Sequence, residues 1–221
     1  IILNNPKDQK LIIKDGLNKK DSMVVTPYFE NMFEVERNNI NNDILYYGAM
    51  GRYVNDVSAR WFLDYVFPIV HKEFPTVRFV IVGSHPTDEL LKYKSESVII
   101  TGFVDSVKPY FEHSKCLVAP LQLGAGVKIK ILEGLSSGIP VLTNSIGIEG
   151  IPAVDNKHYF HCETAEDYVN KLREILVNQT SSEVIGEQGK QFIYANYDLE
   201  NSVDKMICKT LEMLDERVVL Q

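Results

Sequence analysis

Short apolar runs that close on glycine, spaced by segments of helical period, set the limits on what this chain can fold into. Ile44–Gly48, Val77–Gly83 and Val98–Gly102 each end in glycine, Cys116–Pro120 leads into Gly124, and Ile139–Thr143 and a run near 158–162 follow. Runs that are apolar at consecutive positions have no polar side to turn to water, so they predict strands covered on both faces. Between them, Val57 to Phe74 places Trp61, Phe62, Tyr65, Val66 and Ile69 on one broad helical face. Further helices are predicted near 87–94, over 106–113 with Asp105 or Ser106 as cap, and over 126–137, 164–177, 181–195 and 199–216. Thr164 with Asp167 reads as the Asp variant of a capping box. Strand and helix in alternation give an α/β fold with a doubly wound parallel sheet. In such sheets ligands bind beyond the carboxyl ends of the strands, where these glycines lie.

The first 43 residues differ. They are rich in Asn, Lys and Asp, and Asn38–Asp43 is polar and turn-prone, so a boundary is expected there. The opening Ile1-Ile2-Leu3, in place of Met, suggests a chain cut from something longer.

Charge and composition exclude several functions. With 23 basic and 30 acidic residues the formal charge is −7, against the positive footprint of a general nucleic-acid or anionic-membrane binder. Three cysteines (116, 162, 208) form no CxxC pair and five histidines form no HExxH, so neither a disulfide framework nor a zinc site is expected. Cys116 and Trp61 read as core residues. No apolar run is long enough to span a bilayer.

The segment from Pro120 to Gly138 carries the most chemistry. Gly124 and Gly126 allow close approach of backbone N–H groups, and the helix after them presents a partial positive charge, so residues 124–127 form an expected anion seat. The pattern is neither GxGxxG, since position 129 is Ile, nor a P-loop, since GK[ST] is absent. At about 100° per residue Gly126, Lys130, Glu133 and Ser137 share roughly 60° of the helix, while Ile129, Ile131, Leu132 and Leu135 lie opposite. Lys130 and Glu133 therefore form one polar stripe behind the seat, and Glu133 is placed to accept hydrogen bonds from both hydroxyls of a ribose. A surface Lys–Glu pair is the alternative. Lys128 falls on the apolar side of the wheel and ranks below Lys130, although a first-turn side chain could still snorkel towards the phosphates.

In order along the chain, Tyr47-Gly48-Ala49-Met50, Asn55, Trp61-Phe62, Pro68, Phe79–Gly83, Gly102-Phe103-Val104-Asp105, Pro120-Leu121, Gly126–Glu133, Gly138–Val141 and Gly147–Ile151 resemble the carboxy-terminal half of GT-B glycosyltransferases. The likeness is to the retaining group 1, or family 4, set in its bacterial polysaccharide branch, and it covers about residues 44–178. It implies a Rossmann-like donor domain over 44–198. Residues 1–43 would be the tail of an acceptor domain with its linker, and 199–221 a helix returning towards that domain.

By the same resemblance the donor is a UDP- or GDP-sugar. Gly124, Ala125, Gly126 and Val127 would cradle its diphosphate and Glu133 its ribose, while Gly51 and the Gly102-Phe103-Val104 loop frame it. Arg52 and Lys130 would stabilise the leaving group. Two positions depart from the family pattern: the first acid of E-x7-E is Ala125, and the Lys expected five residues after Arg52 is Val57. Lys130 is the candidate for the missing cation. Glu149 lies in a glycine-bounded loop near the expected sugar position. DxD is absent, and neither a metal nor another cofactor is expected.

The implied reaction is sugar transfer to a glycan or lipid-linked acceptor, with retention, in the cytoplasm, the full-length protein resting peripherally on the inner face of the membrane. An isolated donor domain is expected to be inactive or weakly active. The alternatives are a non-catalytic nucleotide-sugar-binding module and a sugar-nucleotide epimerase of the same fold. No nucleic-acid partner is expected.

Overall fold

The computed structural model describes residues 1–25, 27–197, 203–204 and 206–212. In chain order the elements are β1 (Ile2–Leu3), α1 (Pro6–Lys14), β2 (Met23–Val24), β3 (Asp43–Tyr47), α2 (Tyr53–Tyr65), α3 (Phe67–Glu73), β4 (Arg78–Val82), α4 (Asp88–Leu91) and β5 (Val98–Ile100). They continue with α5 (Lys108–His113), β6 (Cys116–Ala119), α6 (Ile129–Ser137), β7 (Val141–Thr143), β8 (Phe160–His161), α7 (Ala165–Val177) and α8 (Gln179–Asn196).

Six strands form one parallel sheet in the order β5-β4-β3-β6-β7-β8. The predicted α/β doubly wound class is therefore the observed one. The chain leaves β3 towards β4 and β5, then crosses back to place β6 on the other side of β3. The crevice between the carboxyl ends of β3 and β6 is thus the switch point of the winding, where helices diverge to opposite faces and leave room for a ligand.

Period-two alternation sorts the core. Ile44, Tyr46, Phe79, Ile81, Cys116 and Val118 face a layer with Phe62, Val66, Val70 and Tyr168 from α2, α3 and α7. Leu45, Val80, Val82, Leu117 and Ala119 face Phe111, Ile131, Leu132, Leu135 and Ile193 from α5, α6 and α8. Trp61 packs against the first layer at its edge. Cys116 and Cys162 are buried free thiols, and burial pushes both up to about 12.

Residues 29–42 do not hang free. Met32 and Val35 belong to the second core layer, and the Met32 N–H donates to Ser136 Oγ at 2.8 Å. Arg37, nearly buried, donates to both oxygens of Glu183 at 2.9 Å and to the carbonyls of Phe111 and Ser114. Ahead of them, β1 and β2 pair in parallel beside α1.

Several predicted boundaries move. The helix expected over 57–74 is two helices that meet at Val66, because Pro68 in the first turn of α3 lacks the N–H needed to continue the α2 ladder. The helix expected over 106–113 begins at Lys108 with Val107 as cap, although Ser106 Oγ accepts from the Lys108 N–H. The Thr164–Asp167 capping box forms as expected. Of the helix predicted over 199–216, residues 203–204 and 206–212 are helical, and the remainder lies outside the described residues.

Candidate functional site

The largest departure from sequence expectation lies at the candidate site. Helix α6 begins at Ile129 with Lys128 as N-cap, three residues later than the predicted 126. Gly124 and Gly126 adopt φ of 135° and 73°, left-handed values that end the loop in a turn and cannot continue into a helix. The seat is therefore a loop leading into a helix N-terminus, whose first-turn N–H groups have no intrahelical acceptors.

A cleft of about 410 Å³ opens at the β3/β6 switch point. One wall is the β3–α2 loop and the first turn of α2: Tyr47, Gly48, Ala49, Arg52, Val54 and Asn55. The other is the β6–α6 loop and the start of α6, including Gly124, Ala125, Val127, Lys128, Lys130 and Glu133. The parallel crossover brings these two segments together, although some 75 residues separate Asn55 from Lys130.

Lys130 and Glu133 both line the cleft, one helical turn apart, as the polar stripe required. They are not a solvated surface pair. Glu133 is 7% exposed, and burial pushes its carboxyl up to about 7; Glu30 adds to the shift, while the Tyr47 hydroxyl and Lys130 oppose it. Tyr47 is itself raised to about 12, by burial and then by Glu133. Lys130 is part-buried, and desolvation of its ammonium in the cleft wall lowers it to about 7, Arg52 across the cleft lowering it further and Glu133 opposing. Its Nζ donates to Asn55 Oδ1 at 2.7 Å and lies 4.8 Å from the Tyr46 ring centroid. Arg52, exposed on the opposite wall, holds the N-cap position of α2, and its side chain makes no cap hydrogen bond there.

The amides of 124–127 are not all open. The Gly126 N–H donates to Glu149 Oε2 at 2.9 Å, so an internal carboxylate holds part of the expected seat. Lys7 from α1 pairs with the same carboxylate and keeps it below the usual carboxylate range. Lys128 Nζ lies 3.7 Å from Glu149 and donates to the Gly126 carbonyl. Lys128 thus lines the cleft despite its place on the apolar side of the helical wheel, because as N-cap it precedes the helix and the wheel does not apply to it.

The other sequence-predicted positions lie apart. Gly51 sits beneath His85 and donates to the Ser84 carbonyl at 3.3 Å. The Gly102 carbonyl accepts from the Gly83 N–H, Phe103 is 76% exposed, and Val104 packs on the second core layer. None of these four lines the cleft. Sequence reasoning gave Asn55 and Tyr47 no role in the site and ranked Lys128 below Lys130; the fold brings all three to the cleft. No group of three or more His, Cys, Asp or Glu side chains is placed to hold a metal among the described residues, nor is any described helix long and apolar enough to cross a membrane.

Among curated proteins, an uncharacterized 44.6 kDa protein in the cps region of Klebsiella pneumoniae is 27% identical over 213 residues, covering 89% of this chain and 54% of that protein. The chain thus spans about half the length of that relative. A solved S. aureus TarM variant, in complex with fondaparinux, alpha-GlcNAc-glycerol and UDP, matches with a TM-score of 0.81 at 18% identity, over 94% of this chain and 43% of that one. The pneumococcal O-GlcNAc transferase GtfA, in complex with UDP and GlcNAc, gives 0.74 at 13% identity, over 96% and 45%. A glycosyltransferase from Rickettsia africae gives 0.76 at 15%, over 96% and 63%. These likenesses are of fold, and the fold is the Rossmann-like domain of GT-B glycosyltransferases. The family model described as glycosyl transferases group 1 matches residues 41–178, more than half of the chain, and this protein belongs to that family.

Proposed function

We propose that this chain is the donor-binding part of a transferase that moves a sugar from a nucleoside diphosphate to a glycan or lipid-linked acceptor, with retention at the anomeric carbon. The observation that carries the reading is the meeting of one buried carboxylate and one buried ammonium, Glu133 and Lys130, in a single cleft at the switch point of the sheet. Burying both groups opposes folding, and a ligand that is an anion at one end and a diol at the next offsets that cost. The diphosphate lies along residues 124–131 against the α6 N-terminus, Lys130, Lys128 and Arg52. Glu133 accepts from the ribose hydroxyls, and the base extends towards the Gly102–Val104 loop. Structural relatives crystallised with UDP support a uridine donor.

The chemistry assigned to this chain is stabilisation of the departing nucleoside diphosphate. Helix N–H groups and the cations Arg52 and Lys130 balance the negative charge that builds as the anomeric C–O bond breaks. The acceptor hydroxyl comes from the other half of the enzyme on closure, residues 1–43 and 199–221 being the joint to that half.

Calorimetry with UDP and GDP tests this reading. Glu133→Gln is expected to weaken UDP binding by about 1.5–3 kcal/mol, the range of hydrogen bonds to a charged group. Unchanged affinity would refute the ribose role. Affinity also depends on pH with two limbs. Ribose requires the ionised carboxylate, so binding weakens as pH falls below about 7 and Glu133 takes up a proton. Diphosphate requires the ammonium, so binding weakens again as pH rises above about 7 and Lys130 loses one. Titration from pH 5 to 9 should show a maximum near neutrality, with the acid limb reduced in Glu133→Gln.

A further inference from the structure

We propose that Asn55 is a positioning residue of this site, its side-chain amide holding the Lys130 ammonium at the back of the cleft and aimed at the diphosphate without cancelling its charge. Asn55 has this role only if the cleft takes a diphosphate, as proposed above.

Three groups surround Lys130 Nζ. Asn55 Oδ1 accepts from it at 2.7 Å, and the Tyr46 ring lies beneath it with its centroid 4.8 Å away. The third side is Gly48, where an added Cβ would stand 2.8 Å from Nζ and 3.0 Å from Asn55 Nδ2, so the backbone leaves room for the ammonium and nothing more. Asn55, 6% exposed, is itself fixed twice. Its Nδ2 donates to the Ala49 carbonyl at 2.8 Å, and its backbone carbonyl accepts from the Tyr46 hydroxyl at 2.9 Å. These partners fix which way the amide points, because an ammonium only donates and a carbonyl only accepts.

The residue type matters. An ammonium has three N–H donors; Asn55 takes one, and the ring face attracts the charge without accepting a strong hydrogen bond. A donor therefore remains for the cleft. Aspartate at 55 would make an ion pair and cancel the charge the diphosphate needs. An apolar residue would leave the ammonium with no acceptor inside the wall. Besides the Tyr46 ring of β3, the groups that face Lys130 are Arg52 from the β3–α2 loop, which opposes its protonation, and Glu133 from its own helix, which favours it.

The test is Asn55→Asp, read in two ways. NMR titration of the Lys130 side chain in the free protein should show its midpoint, about 7 in the parent, moving up by more than one unit. UDP affinity at pH 6.5 should fall at least tenfold while its alkaline limb moves to higher pH. A uniform loss of affinity with an unchanged Lys130 midpoint would overturn the proposal. Should Asn55→Asp fail to fold, Asn55→Ala serves in a double-mutant cycle: it lowers UDP affinity in the parent but costs nothing further beside Lys130→Met. Additive losses would make Asn55 merely structural and overturn the proposal. A shifted midpoint in a protein that binds no UDP at any pH would refute the nucleotide reading, and the positioning role with it, while leaving the Asn55–Lys130 contact in place.

Discussion

Lys130→Met should stabilise the free protein by about 1–3 kcal/mol and weaken its binding of UDP by about 2–5 kcal/mol. Both effects have one cause. The ammonium is buried with a single strong acceptor, Asn55, so its hydration is lost and only partly replaced. Methionine has a similar length, keeps the contact with the Tyr46 ring and carries no charge to desolvate. The bound diphosphate, in contrast, would lose its buried counter-ion.

The pH dependence separates this from a simple gain in apolar packing. The ordinary lysine value is 10.5 and the folded value about 7, so between the two the unfolded chain holds a proton that the folded chain has released. The stability contribution of Lys130 is therefore complete above 10.5 and is lost as pH falls towards 7. Glu133 acts in the opposite sense. Its folded value of about 7 exceeds the ordinary 4.5, so its contribution is complete below 4.5 and is lost as pH rises through 7. Together they place the least favourable point for the free site near neutrality, where the ligand is to bind. Urea unfolding at pH 7 and pH 10 checks the sign: the advantage of Lys130→Met over the parent should shrink at the higher pH. An advantage that is equal at both would contradict a buried, titrating ammonium.

Gly83→Ala should remove about 3–5 kcal/mol of stability, combining the cost of overpacking with that of a strained backbone. Gly83 follows β4 with φ of 153°, and a Cβ there would stand 1.7 Å from the Gly48 carbonyl oxygen. Neither side can yield easily. The Gly48 N–H donates to the Val82 carbonyl at 3.0 Å, the Gly83 N–H to the Gly102 carbonyl at 3.2 Å, and β3 and β4 are paired in register up to Tyr47 and Val82. The close approach of these two glycines is what lets the β3–α2 loop turn over the sheet edge and form a wall of the cleft. Against a typical total of roughly 5–15 kcal/mol, such a loss leaves little fold at 37 °C. Gly102→Ala is the control. Its φ is 73° but no atom lies within 4 Å of the added Cβ, so only the left-handed backbone cost of about 1–2 kcal/mol applies. Thermal unfolding of both variants reads the difference, and equal losses would refute the close-approach account.

The sheet was legible in the sequence because a strand buried on both faces has to be written in consecutive apolar residues, as Phe79–Val82 and Cys116–Ala119 are. Glu133 and Lys130 were legible for a related reason: α6 is short and amphipathic, and its period places them together without knowledge of the rest. The start of α6 was not, because helical periodicity continues back to Gly126 on paper while its backbone angle leaves the helix. Asn55 and Tyr47 were hidden by distance along the chain, since the parallel crossover and not any local pattern brings them beside α6. The occupancy of the Gly126 amide by Glu149 depends on a loop whose path no periodicity encodes. Asn38–Asp43 read as a polar linker, and the attachments of the stretch before it, among them Phe29, Met32, Phe33, Val35 and Arg37, follow neither helical nor strand period.

The most direct measurement is a crystal structure of the chain grown with UDP. The pyrophosphate should lie at the α6 N-terminus within hydrogen-bond reach of Lys130 Nζ, with both ribose hydroxyls on the Glu133 carboxylate. UDP bound elsewhere, or a ribose held by other residues while Glu133 stays turned to Tyr47, would contradict the account.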